Sequence, residues 1–376
     1  TAFFEALGVH YLGPFDGHDI AEIEDALRNA AEFDGPVVVH LLTQKGRGHA
    51  PAEQDPIKHM HDTGGVKVGS YTAAFTESIL KAAESRPEVV AITAAMPDST
   101  GLLPFRDRFP ERCFDVGIAE QHAVTAAAGM AMGGLRPVVV LYATFLSRAF
   151  DQANLDVGLH GLPVVFCLDR AGITGDDGPS HHGVLDMVLL SKVPGMTILA
   201  PSSYQELQQM FEDALAITDG PVAIRWAKTP APHVGWDEVG RGLSARQVTA
   251  AAAEDRTVCL LGAGKMLAAT VEAAELLAAD GVHATVWDPR CIRPLDETML
   301  ADAAAHRLVV TTEDGFREGG FGTAVLDDLS SRSPATEVAV LGVPVAHHAH
   351  GNVDDLLASF GLDGPGIAAT VLNRLV

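Results

Sequence analysis

Residues Gly117–Tyr142 read GIAEQHAVTAAAGMAMGGLRPVVVLY. After Ile118 comes a helix-length run of Ala, Gly and Met, the composition of a helix built for close packing. Arg136–Tyr142 then follows as a continuous apolar, β-branched run with no polar alternation. Such a run fits a strand covered on both faces, hence a parallel sheet. The same reading applies to Pro36–Thr43, Glu88–Thr93, Leu162–Asp169, Met196–Pro201 and Gly220–Trp226. Helix-length segments, Ser70–Ser85 and Ser203–Ile217 among them, lie between these runs. Strands alternating with helices predict βαβ units wound on both faces of a sheet, an α/β fold.

Working outward, Ala227–Glu238 (AKTPAPHVGWDE) has two prolines and no periodicity and reads as a linker. A second alternation begins beyond it, so residues 240–376 are expected to form a smaller α/β domain. On the other side, Ala52–Gly69 is polar and irregular. The first 65 or so residues hold one amphipathic helix (Ile20–Ala31) and one strand, too little for a core of their own. The expected division is 1–65, the tail of a domain whose body lies elsewhere, then 66–232 and 240–376.

The chain has 376 residues, with 49 acidic against 26 basic side chains and a formal net charge of −23. A surface of that sign repels nucleic acid and anionic membranes, and neither is an expected partner. Cys113, Cys167, Cys259 and Cys291 fit no CxxC metal spacing. They read as free thiols in a reducing cytoplasm. No apolar run reaches the roughly 18 residues of a membrane span. The start, TAFFEALGVHYLGPFDGHD, has neither the basic nor the apolar region of a signal peptide. It also lacks Met, and a fragment is expected.

Chemistry-bearing residues gather after the strands. Glu120 stands in the first turn of the small-residue helix, where the macrodipole alone favours a carboxylate by roughly 0.3–1 kcal/mol. Leu141–Gln152 (LYATFLSRAFDQ) sets Tyr142, Phe145 and Arg148 at three-residue steps, suited to one helical turn or to ordinary core aromatics with a solvated Arg. Gly172–Gly183 (GITGDDGPSHHG) follows the strand ending at Asp169 and Arg170. In a parallel sheet that is the ligand-binding edge. It offers Asp176, Asp177, His181 and His182; Asp–His pairs tune an imidazole for acid–base work, and an Asp- and Gly-rich surface turn is the competing reading. No distant Cys/His cluster supports zinc. Gly262–Lys265 (GAGK) lacks the third glycine of a dinucleotide fingerprint and reads as a tight turn.

Together DVGIAEQHAV, YATFLSRAFDQ and DRAGITGDDGPSHHG resemble, in order and spacing, the pyrimidine-binding domain of transketolase-like, thiamine-diphosphate-dependent enzymes. YLGPFDGHD and HLLTQKGRGHAPAE are similar to the 1-deoxy-D-xylulose-5-phosphate synthase family within them, and so are RPLDETML and EDGFREGGFGTAVLDDL. The resemblance covers essentially the whole chain. It implies a doubly wound, parallel-sheet pyrimidine-binding domain followed by a smaller α/β C-terminal domain, usually paired as a homodimer.

It also implies roles. Glu120 would hydrogen-bond a ring nitrogen of the aminopyrimidine and favour its imino tautomer; a carboxylate in an apolar pocket shares a proton more readily than one in water. Phe145 would stack on that ring, with Ile118 and Lys45 also at the cofactor. Tyr142, Arg148, Asp177 and His181 match the substrate pocket; Arg170 and Lys228 match positions that hold a phosphate. Many members carry Arg where Lys228 stands, and a point charge replaces a fork there. His61 matches a pocket histidine, with His59 competing; His61 and His181 join Glu120 as candidate catalytic groups. The implied reaction condenses pyruvate with D-glyceraldehyde 3-phosphate, with loss of carbon dioxide, to 1-deoxy-D-xylulose 5-phosphate, a precursor of isoprenoids, thiamine and pyridoxal.

One departure matters. The family holds Mg²⁺ and the cofactor's diphosphate with a Gly-Asp-Gly motif and a downstream Asn, and no GDG tripeptide occurs here. No metal ligand is expected within this chain, and an N-terminal segment of the same enzyme is the expected partner. Two other readings stay open: a β-chain-like partner of a 2-oxoacid dehydrogenase, and a non-catalytic homologue.

Overall fold

The computed structural model describes residues 2–61, 65–252 and 256–376. Asp62, Thr63 and Gly64 of the irregular segment lie outside them. The chain divides into two compact units, Thr1–Gly64 and Gly65–Val376.

In the first unit, β1 (His10–Asp16) pairs in parallel with β2 (Val37–Leu42), joined through the helix Ile20–Ala31. The strand β1 is not apparent in the hydropathy pattern, because His10, Gly13, Pro14 and Asp16 interrupt it. Asp19 caps the helix by accepting from the Ala21 and Glu22 amides. Ala26 and Ala52 are the buried apolar residues described in this unit.

The second unit holds two sheets. Six of the seven strands of the larger one come from its first half: β3 (Val89–Thr93), β4 (Cys113–Asp115), β5 (Arg136–Tyr142), β6 (Val165–Asp169), β7 (Thr197–Leu199) and β8 (Val222–Arg225). The smaller contains β9 (Arg246–Thr249), β10 (Val258–Gly262), β11 (Ala284–Asp288), β13 (Leu308–Phe316) and β14 (Glu337–Val343). Between β11 and β13, the short β12 (Cys291–Arg293) crosses to the larger sheet. The orders are β12-β7-β8-β6-β5-β3-β4 and β14-β13-β10-β11-β9, parallel except for β12–β7 and β9–β11.

Burial follows the apolar runs. Every residue of β3, β5, β6 and β8 is buried, as continuous β-branched strands under helices on both faces require. The small-residue helix, Glu120–Met132, buries Ala123, Val124, Ala127, Ala128 and Ala131. Side chains this small bring its backbone close to the sheet. The helices Tyr71–Ser85 and Tyr204–Ala216 pack on the other face, where Phe75 stacks on Trp226 at 5.1 Å and meets Phe211 edge-on. Ser70 and Ser203 cap these two helices from their hydroxyls.

The crossing of β12 makes the two sheets parts of one body. Arg290, buried and at φ +56°, turns the chain out of β11, and its amide carbonyl accepts from Ala200 of the larger sheet. Its guanidinium is held by Glu206 at 2.8 Å and by the carbonyls of Gly242 and Ser244. Arg225 of β8 reaches the other way, to Asp186 at 2.7 Å and to Asp314 of β13 at 2.6 Å, all three buried.

Candidate active site

The candidate residues of the second unit converge at the carboxyl ends of β5, β6 and β8. Glu120 begins its helix because the preceding turn is fixed: the Asp115 carboxylate accepts from the Ala95 and Gly117 amides, and Gly117 takes φ +72°. The Glu120 side chain is buried, and its Oε2 has no hydrogen-bond partner among the described residues. The nearest cation is Arg148, whose Nη1 stands 3.8 Å away.

Tyr142 closes β5, and the short helical turn Phe145–Ala149 follows. This turn sets the Tyr142 and Phe145 rings 5.5 Å apart and nearly parallel. His181 meets the edge of Phe145 at 5.4 Å, its Nδ1 2.9 Å from the Ser180 hydroxyl. Arg170 lies over Tyr142 at 4.2 Å, a cation–π distance, from an unusual φ of +60°.

The Gly172–Gly183 loop is closed at its base, where the two glycines exchange amide hydrogen bonds of 2.8 Å. A Cβ on Gly172 would collide with the Asp314 carboxylate, and its φ is +77°. Asp177 accepts from Lys228 at 2.7 Å and Arg170 at 3.0 Å. Burial pushes the Asp177 carboxyl up, but the Lys228 hydrogen bond and the charges of Lys228, Arg170 and His181 outweigh it and hold it below the usual range. Two cations thus converge on one carboxylate oxygen.

Beneath this cluster Asp169 accepts from the Thr72 hydroxyl at 2.7 Å. Burial pushes its carboxyl up to about 6, against the opposing pull of Thr72 and Arg170. Thr72 has no signal in the sequence, since the pair spans 97 positions. Ile118 is 78% exposed immediately before the Glu120 helix. Lys45 and His61, both exposed, belong to the first unit, as does His59, whose ring bonds the Ala52 carbonyl at 3.1 Å.

A separate group on the smaller sheet, Cys259, Asp302 and His306, has ligand atoms within 4.8 Å of one another. Both His306 nitrogens already have partners there, the Asp302 carbonyl and the Thr285 hydroxyl, so the cluster reads as structural. The candidate residues of the second unit lie instead at the strand ends of the larger sheet.

Comparison with known proteins bears on all three regions. The family model "Transketolase, pyrimidine binding domain" matches residues 68–232, and "Transketolase, C-terminal domain" matches 249–367. The model "1-deoxy-D-xylulose-5-phosphate synthase" matches residues 1–43. The chain is 46% identical to the 1-deoxy-D-xylulose-5-phosphate synthase 1 of Kitasatospora griseola, over 97% of this chain and 58% of that protein. It is 43% identical to the 1-deoxy-D-xylulose-5-phosphate synthase of Thermobifida fusca, over 97% and 59%. A solved structure titled "Split gene transketolase, inactive beta4 tetramer" superposes with a TM-score of 0.71 at 28% identity, covering 82% of this chain and 98% of that one. The chain thus spans just under three fifths of the length of these curated relatives, and nearly all of the split transketolase chain.

Proposed function

Because this chain belongs to the 1-deoxy-D-xylulose-5-phosphate synthase family of transketolase-like proteins, we propose that it forms the pyrimidine-binding and C-terminal part of a thiamine-diphosphate-dependent synthase. The enzyme would condense pyruvate with D-glyceraldehyde 3-phosphate, releasing carbon dioxide, in a cytoplasmic homodimer. The observation that carries this reading is Glu120 Oε2, buried and without a hydrogen-bond partner among the described residues, 3.8 Å from Arg148 on the turn that also carries Phe145. A buried carboxylate oxygen left so is costly, by about 1–3 kcal/mol or more, and such a group calls for an incoming donor. An aromatic ring with a protonated nitrogen is the ligand that Glu120 and Phe145 fit together.

Thiamine diphosphate, when bound, would supply a thiazolium ring that serves as the electron sink for decarboxylation. The residues of this chain orient and hold protons. Glu120 takes a hydrogen bond from the pyrimidine ring nitrogen; Phe145 supplies a stacking face. Arg148 places a positive charge at the mouth, where a carboxylate substrate enters. His181, fixed by Ser180 and Phe145, is positioned to hold or deliver a proton at the substrate oxygen. Arg170 and Lys228 exchange Asp177 for the phosphate of the aldehyde.

The diphosphate and Mg²⁺ would be held outside this chain, whose sequence has no Gly-Asp-Gly motif. We assign their ligands to a diphosphate-binding domain beyond this chain, of which residues 1–65, with Lys45 and His61, would be the end. The likeness to a chain of a split-gene transketolase favours a second form of the same reading, in which a separate polypeptide supplies that domain.

The test is carbon dioxide release from pyruvate with thiamine diphosphate, Mg²⁺ and D-glyceraldehyde 3-phosphate. It is run on this chain alone and with a diphosphate-binding domain added. Activity on addition, lost in Glu120→Ala, is expected. Transfer of an acyl group to lipoamide instead would favour the 2-oxoacid dehydrogenase reading. Failure to bind the cofactor when the domain is supplied would leave the non-catalytic one.

A further inference from the structure

His181 and His182 are adjacent but face opposite ways. His181 points to the aromatic pair. His182 is buried, 6% exposed, behind the loop. Its Nδ1 accepts from the Thr174 amide at 3.1 Å, with the Thr174 hydroxyl at 3.2 Å. Its Nε2 stands 3.4 Å from the carbonyl of Ala349, which only accepts, so Nε2 carries the proton. Partners on both nitrogens therefore define a neutral ring.

This ring joins two segments that are distant in sequence. One is the Gly172–Gly183 loop. The other, residues 344–352, follows β14 in the smaller sheet. The same seam carries a hydrogen bond from the Gly351 amide to the Gly175 carbonyl at 3.3 Å. It is tight: a Cβ on Gly175 would stand 2.8 Å from Val353 and 2.9 Å from the Gly351 carbonyl. Ile173 and Val353 share an apolar cluster with Val184, Val343 and Leu357. His182 is the side chain that ties the polar part of the loop to this seam.

We propose that His182 is a positioning residue, whose neutral ring fastens the Gly172–Gly183 loop to residues 344–352 and so holds Asp177 and His181 in place. Protonation puts a second donor at Nδ1, facing the Thr174 amide, and so removes the bond by which the ring holds Thr174 of the loop to the Ala349 side of the seam. Burial, the largest influence, lowers the proton affinity of this ring below that of an ordinary histidine. Among the facing groups, the carbonyls of Ala349 and His348 and the Asp177 charge favour the imidazolium, while the His348 ring opposes it. The latch is thus closed at neutral pH and opens on acidification. It makes the smaller sheet a participant in substrate binding. Only the kinetic consequence rests on the synthase reading above.

The experiment is amide hydrogen exchange on the 376-residue chain, read as protection factors from pH 5.5 to 8. Wild type, His182→Leu and His182→Gln are compared. In wild type, peptides covering Thr174–His182 should lose protection on acidification while Val165–Asp169 does not. His182→Leu should cut loop protection at least tenfold at pH 7.5. Gln offers an acceptor and a donor without titrating, so His182→Gln should keep the protection and remove its pH step. Equal loop protection in wild type and His182→Leu overturns the latch. So does a pH step that survives in His182→Gln, and this arm decides if the Leu variant does not fold. In the completed enzyme, the KM for D-glyceraldehyde 3-phosphate should rise on acidification more than kcat falls, and not in His182→Gln. Absence of any turnover would count against the synthase reading and leave the exchange result standing.

Discussion

Arg148 Nη1 stands 3.8 Å from Glu120 Oε2, an ion-pair distance without a hydrogen bond, between a side chain 56% exposed and one 3% exposed. The pair is lopsided. The carboxylate has given up water, and the cation has not come in to replace it. Such an arrangement costs stability, which under the proposed function a bound cofactor would offset. Glu120→Gln keeps the shape and removes the buried charge. It should raise the stability of this chain by about 1 kcal/mol, less the macrodipole's preference for an anion at that turn. Urea unfolding of the chain alone measures this, and the same substitution should abolish decarboxylation in the completed enzyme. A variant less stable than wild type would mean that Glu120 is a structural group.

Lys228 and Arg170 share Asp177 through its Oδ2, at 2.7 and 3.0 Å. If the two cations pass to a phosphate, losing one removes a charge-assisted contact worth about 1.5–3 kcal/mol. Lys228→Ala should raise the KM for D-glyceraldehyde 3-phosphate roughly 10- to 100-fold and leave the KM for pyruvate within about twofold. Lys228→Arg, which restores a fork, should return most of it. Equal effects on both substrates would remove Lys228 from the phosphate site.

Much of this architecture was legible in the sequence. The continuous runs at Arg136–Tyr142 and Leu162–Asp169 are β5 and β6, because two-sided burial erases polar alternation. The helix at Ser203–Ile217 differs from the observed Tyr204–Ala216 only by its ends, where Ser203 serves as cap. What could not be read depends on distant partners. Cys291–Arg293 is a strand only because Leu199 and Ile198 lie beside it. Its crossing places a strand from the C-terminal part of the chain at the edge of the larger sheet. Spacing alone leaves Tyr142, Phe145 and Arg148 readable as core aromatics with a solvated Arg, and it is the family resemblance that assigns them to a site. The Thr72–Asp169 bond and the seam at His182 were not legible, since neither leaves a local pattern.

Arg225 between Asp186 and Asp314 is the buried ionic junction of the two sheets. Burial alone would lower the charged state of the Arg225 guanidinium, and the two carboxylates reverse that. Arg225→Met should cost about 3–5 kcal/mol, because it leaves two buried carboxylates facing one another. Replacing all three groups by apolar residues of similar size should recover most of the loss. Chemical denaturation of the single and triple variants separates a lock that depends on charge from one that depends on packing. If both lose the same amount, packing is responsible.

Asp169 should make stability fall as pH rises. Burial, opposed by the Thr72 hydrogen bond and the Arg170 charge, holds its carboxyl at about 6, whereas an unfolded Asp titrates near ~3.9. Between about pH 4 and pH 6 the folded chain keeps a proton that the unfolded chain has lost. The group's contribution is therefore complete below about pH 4 and declines as pH rises through 6. Asp169→Asn carries a neutral side chain at every pH and still accepts from Thr72. Relative to wild type it should gain roughly 2–3 kcal/mol between pH 4 and pH 7.5. Asp288, also pushed up to about 6 by burial, is present in both proteins and cancels in the comparison. Urea midpoints across that range give the difference directly. Parallel curves would show that Asp169 is ionised throughout, with the Thr72 hydroxyl and the Arg170 charge enough to hold a buried anion beneath the site.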